Sequence, residues 1–302
     1  MRKKSEMNTV RSLLLAGLTA AGLLMQATAH AESSVWQVTA TDGKNKNTLY
    51  IAGTLHLLKA EDFPLPEEFE DAYKKAENLV FEADLSAFND PEVQNKMQRM
   101  VSWDDGSVLA DHVKPETLAR FESVLNDYGI PLIMVEQYRP GFAAITIALL
   151  ELQKLGIGQE GVDAFYDARA RQDGRAIDVL ETVEQQLSFI ANMGMENPDE
   201  FLNYSMDDLE GLGDLMDKMR AAWRAGDMPT LATLMTDKMR DLYPEVYKSL
   251  LTERNLAWVP KIEAMMQDPD VEMVLVGAGH LAGEGNVLEL LEKAGYELKQ
   301  LP

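Results

Sequence analysis

"VEMVLVGAGHLAGEGNVLELLEKAGYELKQL", residues 271–301, decides the fold. From Met273 it is an unbroken apolar run of strand length, and it then passes through a glycine-rich turn. An amphipathic helical segment follows, and then a short alternating strand. A continuous apolar strand has both faces covered, which is the signature of a parallel sheet between helices. A second stretch, "TLYIAGTLHLL" at residues 48–58, repeats the opening: an apolar strand, then Gly53 and His56 at the spacing of Gly277 and His280. The two units lie at opposite ends of the chain, so its two ends supply neighbouring parts of one sheet.

Between them, residues 35–41 and 48–55 read as two strands joined by the turn-rich "TDGKNKN", a hairpin signal. "PLPEEFEDAYKKAEN" is an amphipathic helix, and "NLVFEADL", residues 78–85, is a buried strand ending in Glu82 and Asp84. Helical patterns fill residues 91–155. "GVDAFYDARARQDG" is a helix stopped by Gly174, "RAIDVLET" is a short strand, and residues 183–265 read as helical throughout. The expectation is an α/β fold in a single domain, residues 32–302. Its central mixed sheet is built from both ends of the chain and flanked by helices, and the helical insert at about 183–265 forms a cap.

Arg2, Lys3, Lys4 and Arg11 precede a short apolar stretch that ends in Ala29-His30-Ala31. A basic start, an apolar core and an A-x-A site make a secretory signal peptide, cleaved after Ala31. The expected location is the bacterial periplasm, with no stable membrane anchor after cleavage. The 302-residue chain carries a formal charge of −22. Removal of residues 1–31 leaves about −25, which repels DNA, RNA and anionic lipid and excludes nucleic-acid partners. There is no cysteine, so thiolate metal sites and cysteine nucleophiles are excluded.

Of four histidines, His30 leaves with the signal, and two of the remaining three occupy the paired Gly-x-x-His units. Functional groups of open α/β sheets collect at the carboxyl ends of strands. Glycines at Gly53, Gly277 and Gly279 remove Cβ there and let other groups approach closely. His56, His280 and Glu82 would then converge as two imidazoles and a carboxylate, a common set for Mn, Co or Zn. Such an ion activates water for hydrolysis, with Glu82 completing the site or acting as general base on the bound water. Asp84, two residues from Glu82, is a candidate supporting group on the same strand face. Arg254 could orient Glu82 or bind a substrate carboxylate or oxyanion. His112, ahead of a proline-started helix, reads as a surface residue. The methionines of residues 206–239 and Trp223 read as packing of the cap. "GAGHLAG" lacks the G-x-G-x-x-G order and the following βαβ of a dinucleotide site, and no G-x-S-x-G nucleophile context occurs.

"GTLH", "FEADL", "ERNLAW" and the closing "GAGHLAGEGNVLELLEKAGYELKQL", with "GVDAFYDARARQDGRAIDVLET" in the middle, together resemble the TraB/GumN family. The resemblance runs from about residue 35 to the end. That family includes plasmid pheromone-shutdown proteins, proteins of bacterial polysaccharide gene clusters and the animal Tiki metalloproteases. It is held to share its α/β fold with erythromycin-esterase-like and haem-uptake-related proteins. The resemblance implies His56 and His280 as metal-associated histidines, Glu82 as their acidic partner and Arg254 as the basic residue. The expected function is a metal-dependent hydrolase acting on a peptide or protein. The alternative is a non-catalytic periplasmic protein that binds a ligand such as haem or scaffolds a partner.

Overall fold

The computed structural model describes residues 33–41 and 47–302; the signal-peptide reading of residues 1–31 lies outside them. Eight strands are present among the described residues: β1 (Val35–Ala40), β2 (Thr48–Thr54), β3 (Leu57–Leu58), β4 (Asn78–Phe81), β5 (Gln159–Glu160), β6 (Ala176–Val179), β7 (Glu272–Gly277) and β8 (Tyr296–Gln300). Six of them form one mixed sheet in the order β6-β4-β7-β2-β1-β8. β6, β4, β7 and β2 run parallel. The β1–β2 hairpin and the final strand β8 close one side in antiparallel pairing. β7, entirely buried, lies between β4 and β2, so the two ends of the chain do meet at the sheet's centre.

The period-two alternation of the central strands divides the core. Ala52, Leu79, Phe81, Met273 and Leu275 face one layer with Phe69, Tyr73, Tyr166 and Trp223. That layer is built by helices α1 (Glu67–Lys75), α5 (Val162–Asp173) and α8 (Leu212–Arg224). Ile51, Val80, Val274 and Val276 face the other with Trp258, Ile262 and Leu291. A third apolar cluster joins Phe121, Ile147 and Leu202 away from the sheet, on α3 (Pro115–Asp127), α4 (Pro140–Lys154) and α7 (Pro198–Asp208). The helical layer beyond the sheet therefore draws on residues 109–147 as well as on the expected insert.

The remaining helices are α2 (Pro91–Val101), α6 (Val183–Asn192), α9 (Met228–Leu231), α10 (Asp237–Leu242), α11 (Pro244–Tyr247), α12 (Glu253–Met265) and α13 (Val287–Lys293). Two π-helical turns, Ala232–Thr236 and Lys248–Thr252, interrupt this region; the second runs directly into α12. Wide turns of this kind re-aim the residues after them and recur at functional sites. Trp223, fully buried, donates from Nε1 to the Gly53 carbonyl at 2.7 Å and so pins the end of β2. No helix among the described residues is long and apolar enough to cross a membrane.

Candidate functional site

Four parallel strands end on one edge, and each delivers a polar residue just beyond its last pair: His56 after β2, Glu82 after β4, Glu181 after β6 and His280 after β7. Register sets their neighbourhood. Phe81 pairs with Val179 and Leu275, and Thr54 with Gly277. The Glu181 N–H donates to the Glu82 carbonyl at 2.8 Å, so the two carboxylates leave adjacent strands side by side.

Gly277 is where they meet. A Cβ there would stand 3.3 Å from Glu82 Oε1, 3.5 Å from His56 Nε2 and 3.8 Å from His280 Cδ2, so all three expected groups face one point. Neither Gly53, Gly277 nor Gly279 has a positive φ. Close approach, rather than a turn that only glycine can make, is what Gly53 and Gly277 provide.

Arg254, on α12, organises the buried half. Its Nη2 reaches Glu82 Oε2 at 2.5 Å and Glu181 Oε1 at 2.7 Å, and Nε reaches Glu181 Oε2 at 3.1 Å. Nη1 donates to the Leu250 carbonyl at 3.0 Å and lies 2.9 Å from His280 Nε2. A guanidinium has five N–H groups, and these contacts use them all. The sequence expectation that Arg254 binds a substrate carboxylate or oxyanion therefore has no donor left to rest on. The guanidinium also lies between two rings, 4.6 Å from Trp258 and 5.5 Å from Phe189. Glu82 is nearly saturated as well: Oε2 accepts from Arg254 and from Gln186 at 3.1 Å, and Oε1 accepts from the Gly277 N–H at 2.7 Å with one acceptor site left.

The two matched histidines do different things. His280 is buried, and its Nδ1 lies 2.6 Å from Asn255 Oδ1. Asn255 spends its NH₂ on the Gly285 carbonyl, so its oxygen must face the ring and His280 carries its proton on Nδ1. Nε2 then accepts from Arg254. Burial, with Arg254 and His56 nearby, outweighs the pull of Glu82 and depresses this imidazole to about 3, so it is neutral. His56 is the opposite case. Its side chain is 65% exposed, and Nδ1 is 2.8 Å from Asp163 Oδ2. The Asp163 carboxylate is the main reason its basicity is pushed up to about 9, so it is charged at neutral pH. Among the described residues its Nε2 makes no hydrogen bond.

The carboxylates also differ. Burial opposes ionisation of Glu82, but the cationic groups facing it and the Gly277 N–H overcome this and hold it below the ordinary carboxylate range. Glu181 is pushed up, by burial and by Glu82, against the hydrogen bonds from Arg254. Formally, the two positive charges of Arg254 and His56 face three carboxylates, Glu82, Glu181 and Asp163.

These commitments bear on the expected divalent ion. His280 gives Nε2 to a guanidinium and Nδ1 to Asn255, and Glu82 accepts three hydrogen bonds, so of the expected set only His56 Nε2 and one site on Glu82 Oε1 remain as donors. The donors as they stand do not fit Mn, Co or Zn, and no group of three His, Cys, Asp or Glu among the described residues is arranged to hold a metal.

Asp84 does not join the cluster. It caps the short helix that follows it, accepting from the Ser86 N–H and hydroxyl at 2.9 and 2.7 Å, and pairs with Arg171 on the surface. His112 is half-buried, its ring lying flat on Trp103 at 3.5 Å and its Nε2 2.6 Å from the Ser107 hydroxyl. Sequence reasoning passed over Asp163, Glu181, Gln186 and Asn255. The signal for two of them was present: Gly161-x-Asp163 and Leu180-Glu181-Thr182 lie within segments already singled out. Gly161 has no room for a Cβ, which would overlap the Leu55 carbonyl and the His56 backbone. With Val162 N–H donating to Leu55 O at 3.0 Å, this contact sets Asp163 against His56.

The chain matches the TraB/PrgY/gumN family over residues 34–300. It is 25% identical over 246 residues to YbaP of Escherichia coli, covering 80% of this chain and 87% of that protein. YbaP of Shigella flexneri matches to the same extent.

Proposed function

This chain belongs to the TraB/PrgY/gumN family, and from that premise we propose that it is an exported hydrolase, with peptides as the leading substrates, in which His56 moves the protons. The observation that carries the reading is the division between the two histidines. One is sealed and neutral; the other is exposed, held by a carboxylate, and open at Nε2 toward the point faced by Glu82.

The chemistry follows from those states. A hydrogen-bonded Asp–His pair fixes the ring and makes Nε2 the working nitrogen. In its neutral form His56 takes a proton at Nε2 from a water placed over Gly277, as that water attacks the substrate carbonyl. The resulting imidazolium returns the proton to the leaving nitrogen, so protons balance over the cycle. Asp163 stays ionised and keeps the ring turned. Glu82, held ionised by Arg254 and the Gly277 N–H, is too weak a base to compete; its negative charge, facing the same point over Gly277 as Nε2, stabilises the imidazolium. Arg254, His280, Glu181 and Asn255 hold Glu82 in place. No step runs through a metal ion.

The test is a defined peptide library, digested by the chain without its first 31 residues and read by mass spectrometry. His56→Ala and Asp163→Asn are run beside it, each with chelator and with added Mn, Co or Zn. The reading expects cleavage that survives chelator, is lost in His56→Ala, and rises with pH toward about 9. Cleavage unaffected by His56→Ala, or present only with added metal, contradicts it.

A further inference from the structure

A cavity of about 400 Å³ opens beside the buried cluster, with Phe189 and Leu250 among its walls. Both residues belong to elements that hold the site. On α6, Gln186 donates to Glu82 while Phe189, three residues later and hence on the same helix face, lies over Arg254. On the opposite wall, Leu250 gives its carbonyl to Arg254. Two wall residues of the cavity thus touch Arg254, whose guanidinium in turn holds the Glu82 carboxylate.

Its lining has a consistent chemistry. Met193, Met195, Phe201, Tyr243 and Val246 present half-buried apolar surface, and Leu242 is 54% exposed at the mouth. Asn192, Asn197 and Ser249 add neutral polar groups, Glu196, Glu200 and Glu245 line it from exposed positions, and no lysine or arginine is among the lining residues, although Lys248 lies 3.9 Å from Glu245. The wall is fixed in shape: Gly194 has a φ of 76°, and a Cβ there would collide with the Phe201 ring. An apolar hollow with an acidic rim next to a proton-transfer site is complementary to an apolar side chain flanked by positive charge.

We propose that this cavity receives a large apolar side chain of the substrate peptide, whose neighbouring residues are Lys or Arg. The inference rests on the hydrolase reading for the identity of the site but not for its test. Four dye-labelled octapeptides, differing only in Leu or Ser at one central position and Lys or Glu beside it, are titrated by fluorescence anisotropy into the His56→Ala protein. The Leu/Lys peptide should bind about tenfold or more tightly than Ser/Lys, the worth of burying one large aliphatic side chain. Leu/Glu should be the weaker of the two Leu peptides. Met195→Ser should shrink the Leu advantage, and Glu196→Lys with Glu245→Lys, both at exposed positions, should reverse the Lys preference. Equal binding of all four peptides, or a ranking that the variants leave unchanged, overturns the inference. Cleavage of the same peptides by the unmutated protein is followed in parallel. Cleavage without the ranking removes the cavity and leaves the hydrolase; the ranking without cleavage does the reverse.

Discussion

Arg254→Met tests the organisation of the site without needing a substrate. The change keeps an unbranched apolar stem between Trp258 and Phe189 but deletes a guanidinium that is 8% exposed and makes ion pairs with Glu82 and Glu181. Removing one partner of a buried pair costs about 3–5 kcal/mol, because the remaining charge is stranded in a poor solvent. Here two carboxylates are stranded together. For a domain of this size each kcal/mol lowers Tm by about 2–4 °C, so a fall of about 6–20 °C is expected at about pH 8. The sign of the pH dependence follows from the same charges. Without Arg254 both carboxyls are raised above their unfolded values, so folding is favoured where they are protonated and loses stability as pH rises. Glu181, already pushed up in the intact protein, protonates first. The gap in Tm between variant and parent should therefore narrow from about pH 8 to about pH 5. Thermal unfolding followed by circular dichroism measures it. Arg254→Met with Glu181→Gln should recover about 1–3 kcal/mol, the coupling typical of groups in one buried network. A Tm within about 3 °C of the parent at about pH 8, or a gap independent of pH, would refute the reasoning.

Three further outcomes are expected. Gly161→Ala pushes the Leu55 and His56 backbone away from α5, so it should cost about 1–3 kcal/mol and open the Asp163 contact; unchanged stability together with an unchanged His56 titration would contradict this. Asp163→Asn removes the main cause of the raised basicity of His56, which should fall from about 9 toward the ordinary 6.5 in an NMR titration. Glu272 is 5% exposed and is pushed up to about 7, first by burial and then by Asp268. Its stability contribution is present below the unfolded value of 4.5 and lost as pH rises through about 7. Glu272→Gln should therefore stabilise the protein by up to about 3 kcal/mol at about pH 8 and leave it unchanged at about pH 4, as urea unfolding at the two pH values will show.

The central sheet was legible because strand patterning is local: β7, apolar from Met273 onward, and the alternating β8 state their own burial. The meeting of His56, Glu82 and His280 was legible for a related reason, since parallel strands put their carboxyl ends on one edge. β3 and β5, two residues each, are too short to carry a period and escaped the pattern. The partners escaped as well. Asp163 sits in the first turn of α5, Gln186 on α6 and Asn255 on α12, and nothing in their own sequence context reveals which strand end they will meet. Arg254 was found as a residue but not as a saturated one, because five occupied N–H groups are a tertiary property. The expectation of a metal set rested on residue types, their spacing at strand ends and the family resemblance, and it is the occupancy of their lone pairs that the folded arrangement supplies.

The account stands on two histidines with one sequence motif in opposite states, and long-range ¹H–¹⁵N NMR of the imidazoles reads those states directly. Titrated from about pH 5 to about pH 10, His280 should stay neutral throughout, protonated on Nδ1 with an unprotonated Nε2, while His56 should titrate well above 6.5, near 9. Two histidines that titrate together near 6.5, or a His280 that charges before His56, would contradict the division of roles on which the proposed chemistry depends.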